Sequence, residues 1–202
     1  MRTARGRGPF STTRAYSGGV SLAAELERIA GLARAHSSGG EVSGVIPTEP
    51  ASGERVYLCA FDDDAGRRSW LAVRADGTPV ASRAELREAV SIAALCEVAS
   101  DAAGGGDLDD LIARLEELRT TDAPEGIESA EEAAKQLRLV LGESPQLASP
   151  GRLDEIGMAT RRLEHELDPN AASPFTAALK SSQEAVGELQ REVEAGYRVP
   201  LT

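Results

Sequence analysis

A small antiparallel sheet is predicted in ERVYLCAFDDDAGRRSWLAVRADGTPV, residues 54–80, whose first strand is apolar on both faces. Placing the first loop at residues 63–66 sets Cys59 opposite Trp70 and Leu58 opposite Leu71. The pair Asp76-Gly77 is a strong signal for a tight hairpin turn. The pattern therefore predicts a three-stranded antiparallel meander over about residues 54–81.

The last predicted strand is short and lies at the sheet edge, because Pro79 lacks the N–H that a central strand donates. The turn before it sets Val73 beside Val80. This pairing sorts the side chains into an aliphatic face and an aromatic face. The aliphatic face comprises Val56, Leu58, Leu71, Val73 and Val80, and the aromatic face Tyr57, Cys59, Phe61 and Trp70.

Helical periodicity dominates the rest of the chain. A short helix is predicted over residues 21–35, with Ser21 as its N-cap and an apolar stripe of Leu22, Leu26, Ile29 and Ala33. Residues 36–54 contain many Gly, Ser and Pro residues, which is typical of a linker. Four to five helices are predicted over about residues 82–195, with start signals at Ser82–Glu85, Ser129–Glu132, Ser149-Pro150 and Ser173-Pro174.

The last two predicted helices are joined by a short loop, so we expect them to be antiparallel neighbours. Their apolar stripes then pair Ile156 with Val186 and Leu163 with Leu179. Thr160 would face Ser182 in a polar layer that fixes the register.

These elements predict an α+β fold that is mostly α, with the meander packed on a C-terminal helical bundle. Three regions are expected along the chain. Residues 1–19 form a disordered basic arm, residues 20–53 a short helix and linker, and residues 54–202 a single domain of meander and bundle.

The net charge of −11 argues against nucleic acid as the main partner, since such binding neutralises phosphates with cations. Residues 1–18 are the exception, with Arg2, Arg5, Arg7 and Arg14 and no acid. No apolar run is long enough for a membrane helix, and no apolar segment follows the N-terminal arginines as in a secretory signal. Cys59 and Cys96 lie in apolar surroundings, which favours buried free thiols over a disulfide and predicts a cytoplasmic protein.

The sequence assigns no catalytic, cofactor-binding or metal-ligating residue. The two histidines and two cysteines show no spacing typical of zinc ligands, and no phosphate-binding glycine motif follows a strand. The loop Asp62–Gly66 lacks the alternating acids and distant Glu of an EF-hand, so we interpret it as a solvated hairpin loop.

Three functions stay open. The leading hypothesis is a non-enzymatic protein that acts through self-association or a protein partner, with the aromatic face as the interface. The first alternative is a small-molecule sensor or carrier with its pocket at that face, where Arg68 could hold an anion. The candidate residues for either are Tyr57, Cys59, Phe61, Arg68 and Trp70. The second alternative is an enzyme that uses carboxylates. The N-terminal helix, the linker, a second copy or a ligand could each cover the aromatic face.

Overall fold

The fold is α+β and mostly helical, as predicted. The computed structural model describes residues 21–37, 41–104, 108–121, 126–142, 146–167, 184, 186–188 and 190–197. An antiparallel sheet in the order β1-β2-β3 is built from β1 (Glu41–Thr48), β2 (Val56–Asp62) and β3 (Arg68–Arg74). The helices in the described ranges are α1 (Leu22–Arg34), α2 (Arg83–Gly104), α3 (Leu108–Thr121), α4 (Ile127–Leu141) and α5 (Pro150–Leu167).

The predicted linker is wrong over residues 41–48, which form the edge strand β1. β1 pairs antiparallel with β2, with Val45 opposite Cys59 and Thr48 opposite Val56. The proline in β1 is tolerated because of its edge position. The Pro47 carbonyl points away from β2 and accepts a hydrogen bond from the Ala148 N–H at 2.9 Å, so no N–H is needed there.

The predicted register of β2 and β3 is wrong by one residue. Cys59 lies opposite Leu71, and Ala60 lies opposite Trp70. The loop is longer than expected because Asp63 organises it, accepting hydrogen bonds from the N–H groups of Ala65 and Arg67, both at 2.9 Å. A shift of one residue moves every side chain of a strand to the other face.

The hairpin turn at Asp76-Gly77 is confirmed. Gly77 has φ of 87°, and Asp76 accepts a hydrogen bond from the Thr78 N–H at 2.8 Å. The segment after the turn forms only an isolated bridge between Val73 and Pro79, not the predicted third strand. The meander therefore spans residues 41–74 instead of 54–81.

Each face of the sheet is covered by a helix. On one face, α1 packs over a buried cluster from β2 and β3, whose members are Tyr57, Cys59, Phe61, Leu71 and Val73. On the other face, α2 packs over Val56, Leu58, Ala60, Trp70, Ala72 and Val80. Val73 and Val80 thus lie on opposite faces, contrary to the prediction.

The helix starts follow the predicted caps at three positions, the first of which is Ser21 at the start of α1. Ser82 caps α2, and Ser149 caps α5 by accepting a hydrogen bond from the Arg152 N–H at 3.1 Å. The predicted start at Ser129 is wrong, since α4 begins at Ile127 after Gly126, whose φ is 89°. Ile127 is buried in the core of the helical part, so its packing extends the helix before Ser129.

The apolar stripe of α5, which includes Ile156 and Leu163, packs on helices α2, α3 and α4. Ile156 lies with Ala99 of α2, and Leu163 lies in the cluster that α3 and α4 share. Val193, in the helical residues 190–196, packs against α2 and the sheet. The predicted partner of Thr160, Ser182, lies outside the described residues, as do Leu179, the Ser173-Pro174 start and the basic arm.

Within the described ranges, no helix is both long and apolar enough to span a membrane.

Candidate functional site

The predicted aromatic face is divided between the two sides of the sheet. Tyr57, Cys59 and Phe61 have 0% exposure and lie beneath α1. Trp70 is 5% exposed and lies on the α2 side. Arg68 shares the side of Trp70, at the exposed end of β3, where it pairs with Asp62 at 3.0 Å. The five candidate residues therefore do not form one site, and the N-terminal helix supplies the cover.

Polar contacts at the start of α1 help to hold it on the sheet. Ile29 and Ala33 are buried against the sheet, and the Glu25 carboxylate accepts hydrogen bonds from the Tyr57 hydroxyl at 2.6 Å and from Arg55 at 3.0 Å. Burial raises the pKa of Tyr57 to about 12, and the hydrogen bond to Glu25 adds to the rise. Tyr57 is therefore a neutral donor that ties α1 to the sheet.

Both cysteines are free and buried, as predicted. Burial raises the pKa of the Cys59 thiol to about 12 and also raises that of Cys96. A nucleophilic or metal-binding cysteine needs an accessible thiolate. In this conformation neither thiol meets that requirement.

The acidic loop after β2 makes ion pairs with its own arginines. Asp63 pairs with Arg67 at 2.7 Å, and Asp62 pairs with Arg68. In the part of the chain that the structure describes, no three His, Cys, Asp or Glu side chains are grouped to hold a metal ion.

A different surface, the cleft beside α3, was not foreseen from the sequence. α3 runs antiparallel to α4, since Asp109 pairs with Arg138 and Arg119 pairs with Glu131, both at 2.8 Å. The two helices are held by a third contact, in which Lys135 of α4 bridges Glu116 of α3 and Glu131 of α4. These ion pairs fix α3 by one side only.

The cleft opens on the other side of α3, between that helix, the end of α2 and α5. Its volume is about 750 Å³. Its lining is mostly apolar, with one carboxylate and one guanidinium, and comprises Ala102, Ala103, Leu108, Asp110, Leu111, Ala113, Arg114 and Leu163. A second cavity of about 560 Å³ adjoins it at Leu108 and is bordered by Asp101, Asp109 and Arg138.

The apolar stripe of α3 is wider than α4 can cover. Leu108 and Leu115 are buried, Leu111 and Ile112 are half-buried, and Leu118 is 44% exposed. Leu167 at the end of α5 is 48% exposed. The sequence pattern identified the leucine stripe of α3 but not how much of it the described helices leave exposed, since that depends on where they pack.

Comparison with protein-family models, with curated proteins and with solved structures finds no match for this chain. No relative's activity can therefore be transferred to the cleft.

Proposed function

We propose that the protein is non-enzymatic and acts by binding a second protein chain in the cleft beside α3. The observation that supports this is the half-covered leucine stripe of α3. Apolar surface of this kind at a cleft marks interaction sites on many proteins. An apolar helix is the shape that a groove between helices accepts.

The energetic gain from such an occupant is substantial. Full burial of a leucine side chain contributes about 1.5–3 kcal/mol, and Leu118 still exposes 44% of its surface. Leu111 lines the cleft, and Leu118 lies just beyond the lining, one turn past Arg114 on the same edge of α3. A partner helix that covers both would gain apolar contact without any rearrangement of the sheet.

The aromatic face is the weaker location for this function. Its residues Tyr57, Cys59 and Phe61 become accessible only if α1 leaves the sheet. The sensor and carboxylate-enzyme hypotheses stay predictions, and no arrangement of the described residues favours either of them.

A photo-cross-linking amino acid at position 114 tests the proposal directly. The matched control carries the same group at position 139, where Leu139 is 73% exposed on α4 and outside the cleft lining. We expect the group at position 114 to form one discrete cross-linked adduct with the partner chain, and the group at position 139 to form none. The adduct should be lost when Leu118→Gln is combined with the cross-linker at position 114.

The cross-linked chain is then identified and purified, and its binding is measured with unlabelled protein. We expect Leu118→Gln to weaken that binding and Leu139→Gln to leave it unchanged. Equal yields of adduct from the two positions would exclude the cleft as the binding surface. An affinity for the partner that Leu118→Gln does not change would exclude it as well.

A further inference from the structure

We infer that the occupant of the cleft is an amphipathic helix with a basic flank. This inference rests on the proposed function and names the chemistry of its partner. Three properties of the cleft support it: the charge of its border, the charge of the whole chain and the spacing of its exposed leucines.

Carboxylates outnumber guanidinium groups by one across the cleft and the adjoining cavity together. Asp101, Asp109 and Asp110 lie along the two adjoining cavities, together with Arg114 and Arg138. Arg138 is already paired with Asp109 at 2.8 Å. Asp110 in the cleft and Asp101 in the adjoining cavity are therefore left with the single guanidinium of Arg114, so a partner with Lys or Arg beside its apolar stripe complements this border.

The net charge of the chain also favours a partner with positive charge. At −11 the protein attracts a cationic segment and repels an anionic one. This repulsion also opposes a second copy of the chain, whose net charge is the same. A basic partner is consequently favoured over self-association at this surface.

The half-buried Leu111 and the 44% exposed Leu118 set the geometry of the partner. Leu111 and Leu118 are seven residues apart, which places them about 10.5 Å apart along one edge of α3. A partner helix with apolar residues at the same seven-residue spacing can contact both. Its flanking positions then come near Asp110 and Asp101.

Two synthetic peptides of about 20 residues, long enough to form a helix, test this chemistry. Both carry the same leucine stripe with seven-residue spacing, and their flanking positions are all Lys in one and all Glu in the other. Binding of each fluorescein-labelled peptide to the full chain is followed by fluorescence anisotropy. We expect the Lys peptide to bind about tenfold more tightly than the Glu peptide at about 50 mM salt, with the difference shrinking at about 500 mM.

Variants separate the cleft from the acidic surface in general. Leu118→Gln should weaken binding of the Lys peptide severalfold, and Leu111→Gln serves as a second apolar variant. Asp101→Asn with Asp110→Asn should weaken only the Lys peptide. The matched control, Asp154→Asn with Glu155→Gln, removes two exposed acids of α5 and should have a smaller effect. Circular dichroism melting confirms that each variant is folded.

Three results would overturn the inference. The first is equal binding of the two peptides. The second is binding of the Lys peptide that ignores Leu118→Gln. The third is that neither peptide binds while sedimentation shows self-association that Leu118→Gln abolishes. This third result retains the proposed function and makes a second copy the occupant. If Leu118→Gln changes neither peptide binding nor self-association, the proposed function fails as well.

Discussion

The cover that α1 provides over β2 and β3 should open locally, and Cys59 should report each opening. α1 is a 13-residue helix that packs on the strands through few buried residues. Isolated helices of this length are marginal in water. Cys59 is inaccessible beneath α1, and its raised pKa suppresses the thiolate. Alkylation of Cys59 should therefore follow the population in which α1 has left the sheet.

Gly31→Ala is the perturbation that tests this opening. Gly31 lies inside α1, and an added Cβ would meet no atom within 4 Å. Replacing a helical glycine by alanine in open space stabilises the helix by roughly 0.5–1 kcal/mol. Since 1.4 kcal/mol is a factor of ten, alkylation of Cys59 should slow about two- to fivefold.

The assay is alkylation by iodoacetamide at constant pH, with Cys59 and Cys96 resolved by peptide mass spectrometry. Ile156→Val is the matched control, because Ile156 of α5 packs against Ala99 of α2 while α1 packs on the strands. It should cost about 0.5–1.5 kcal/mol of global stability. We expect it to accelerate alkylation of Cys96 and to leave that of Cys59 unchanged. Equal acceleration of the two thiols would show that Cys59 is exposed only by global unfolding, and the local-opening hypothesis would be wrong.

Three further outcomes are expected. Gly196→Ala should destabilise the protein by about 1–3 kcal/mol, because its Cβ would lie 3.0 Å from the Arg68 carbonyl oxygen. The helical control Gly187→Ala, with no atom within 4 Å, should not lower the calorimetric melting temperature. Glu131→Gln should lower stability at pH 7, by an amount that shrinks as the pH is lowered below the ordinary pKa of a glutamate. The hydrogen bond from Lys135 lowers the pKa of Glu131, so the stability it contributes is lost as pH falls through that pKa. The pKa of Tyr57 is raised on folding, so the unfolded chain loses this proton at a lower pH than the folded protein does. The free energy of unfolding, measured with urea, should therefore fall as the pH rises from about 10 to about 12.

Local signals were sufficient for most helices. Ser21, Ser82 and Ser149 each accept a hydrogen bond from the first turn that follows, and the predicted starts are right there within one residue. These caps act within four residues, so the sequence alone carries the information. At α4 the local signal failed, because burial of Ile127 contributes more than a cap at Ser129 would.

The sheet was harder to predict because its pairing is not local. β1 contains Gly44 and Pro47, which usually mark loops, and its edge position and the contact with Ala148 make both tolerable. The register of β2 and β3 depended on one residue of loop length, fixed by the Asp63 side chain. Because the loop is one residue longer than predicted, Trp70 lies on the face of the sheet that α2 covers, opposite the face with Tyr57. The composition of the candidate face was therefore wrong even though β2, β3 and the number of strands were predicted correctly.

The apolar faces of the sheet and the leucine stripe of α3 differ in how fully the described helices cover them. A three-stranded sheet with apolar residues on both faces needs two covers to be stable, and α1 and α2 provide them from either side in sequence. The ion pairs between α3 and α4 involve Asp109, Glu116 and Arg119 of α3. The edge of α3 with Leu111 and Leu118 is therefore turned away from α4. The aromatic residues of the sheet consequently explain its stability, and the leucines of α3 are the surface with capacity for a partner. We therefore propose the cleft, instead of the sheet, as the interaction surface, and an apolar helix with a basic flank as its occupant.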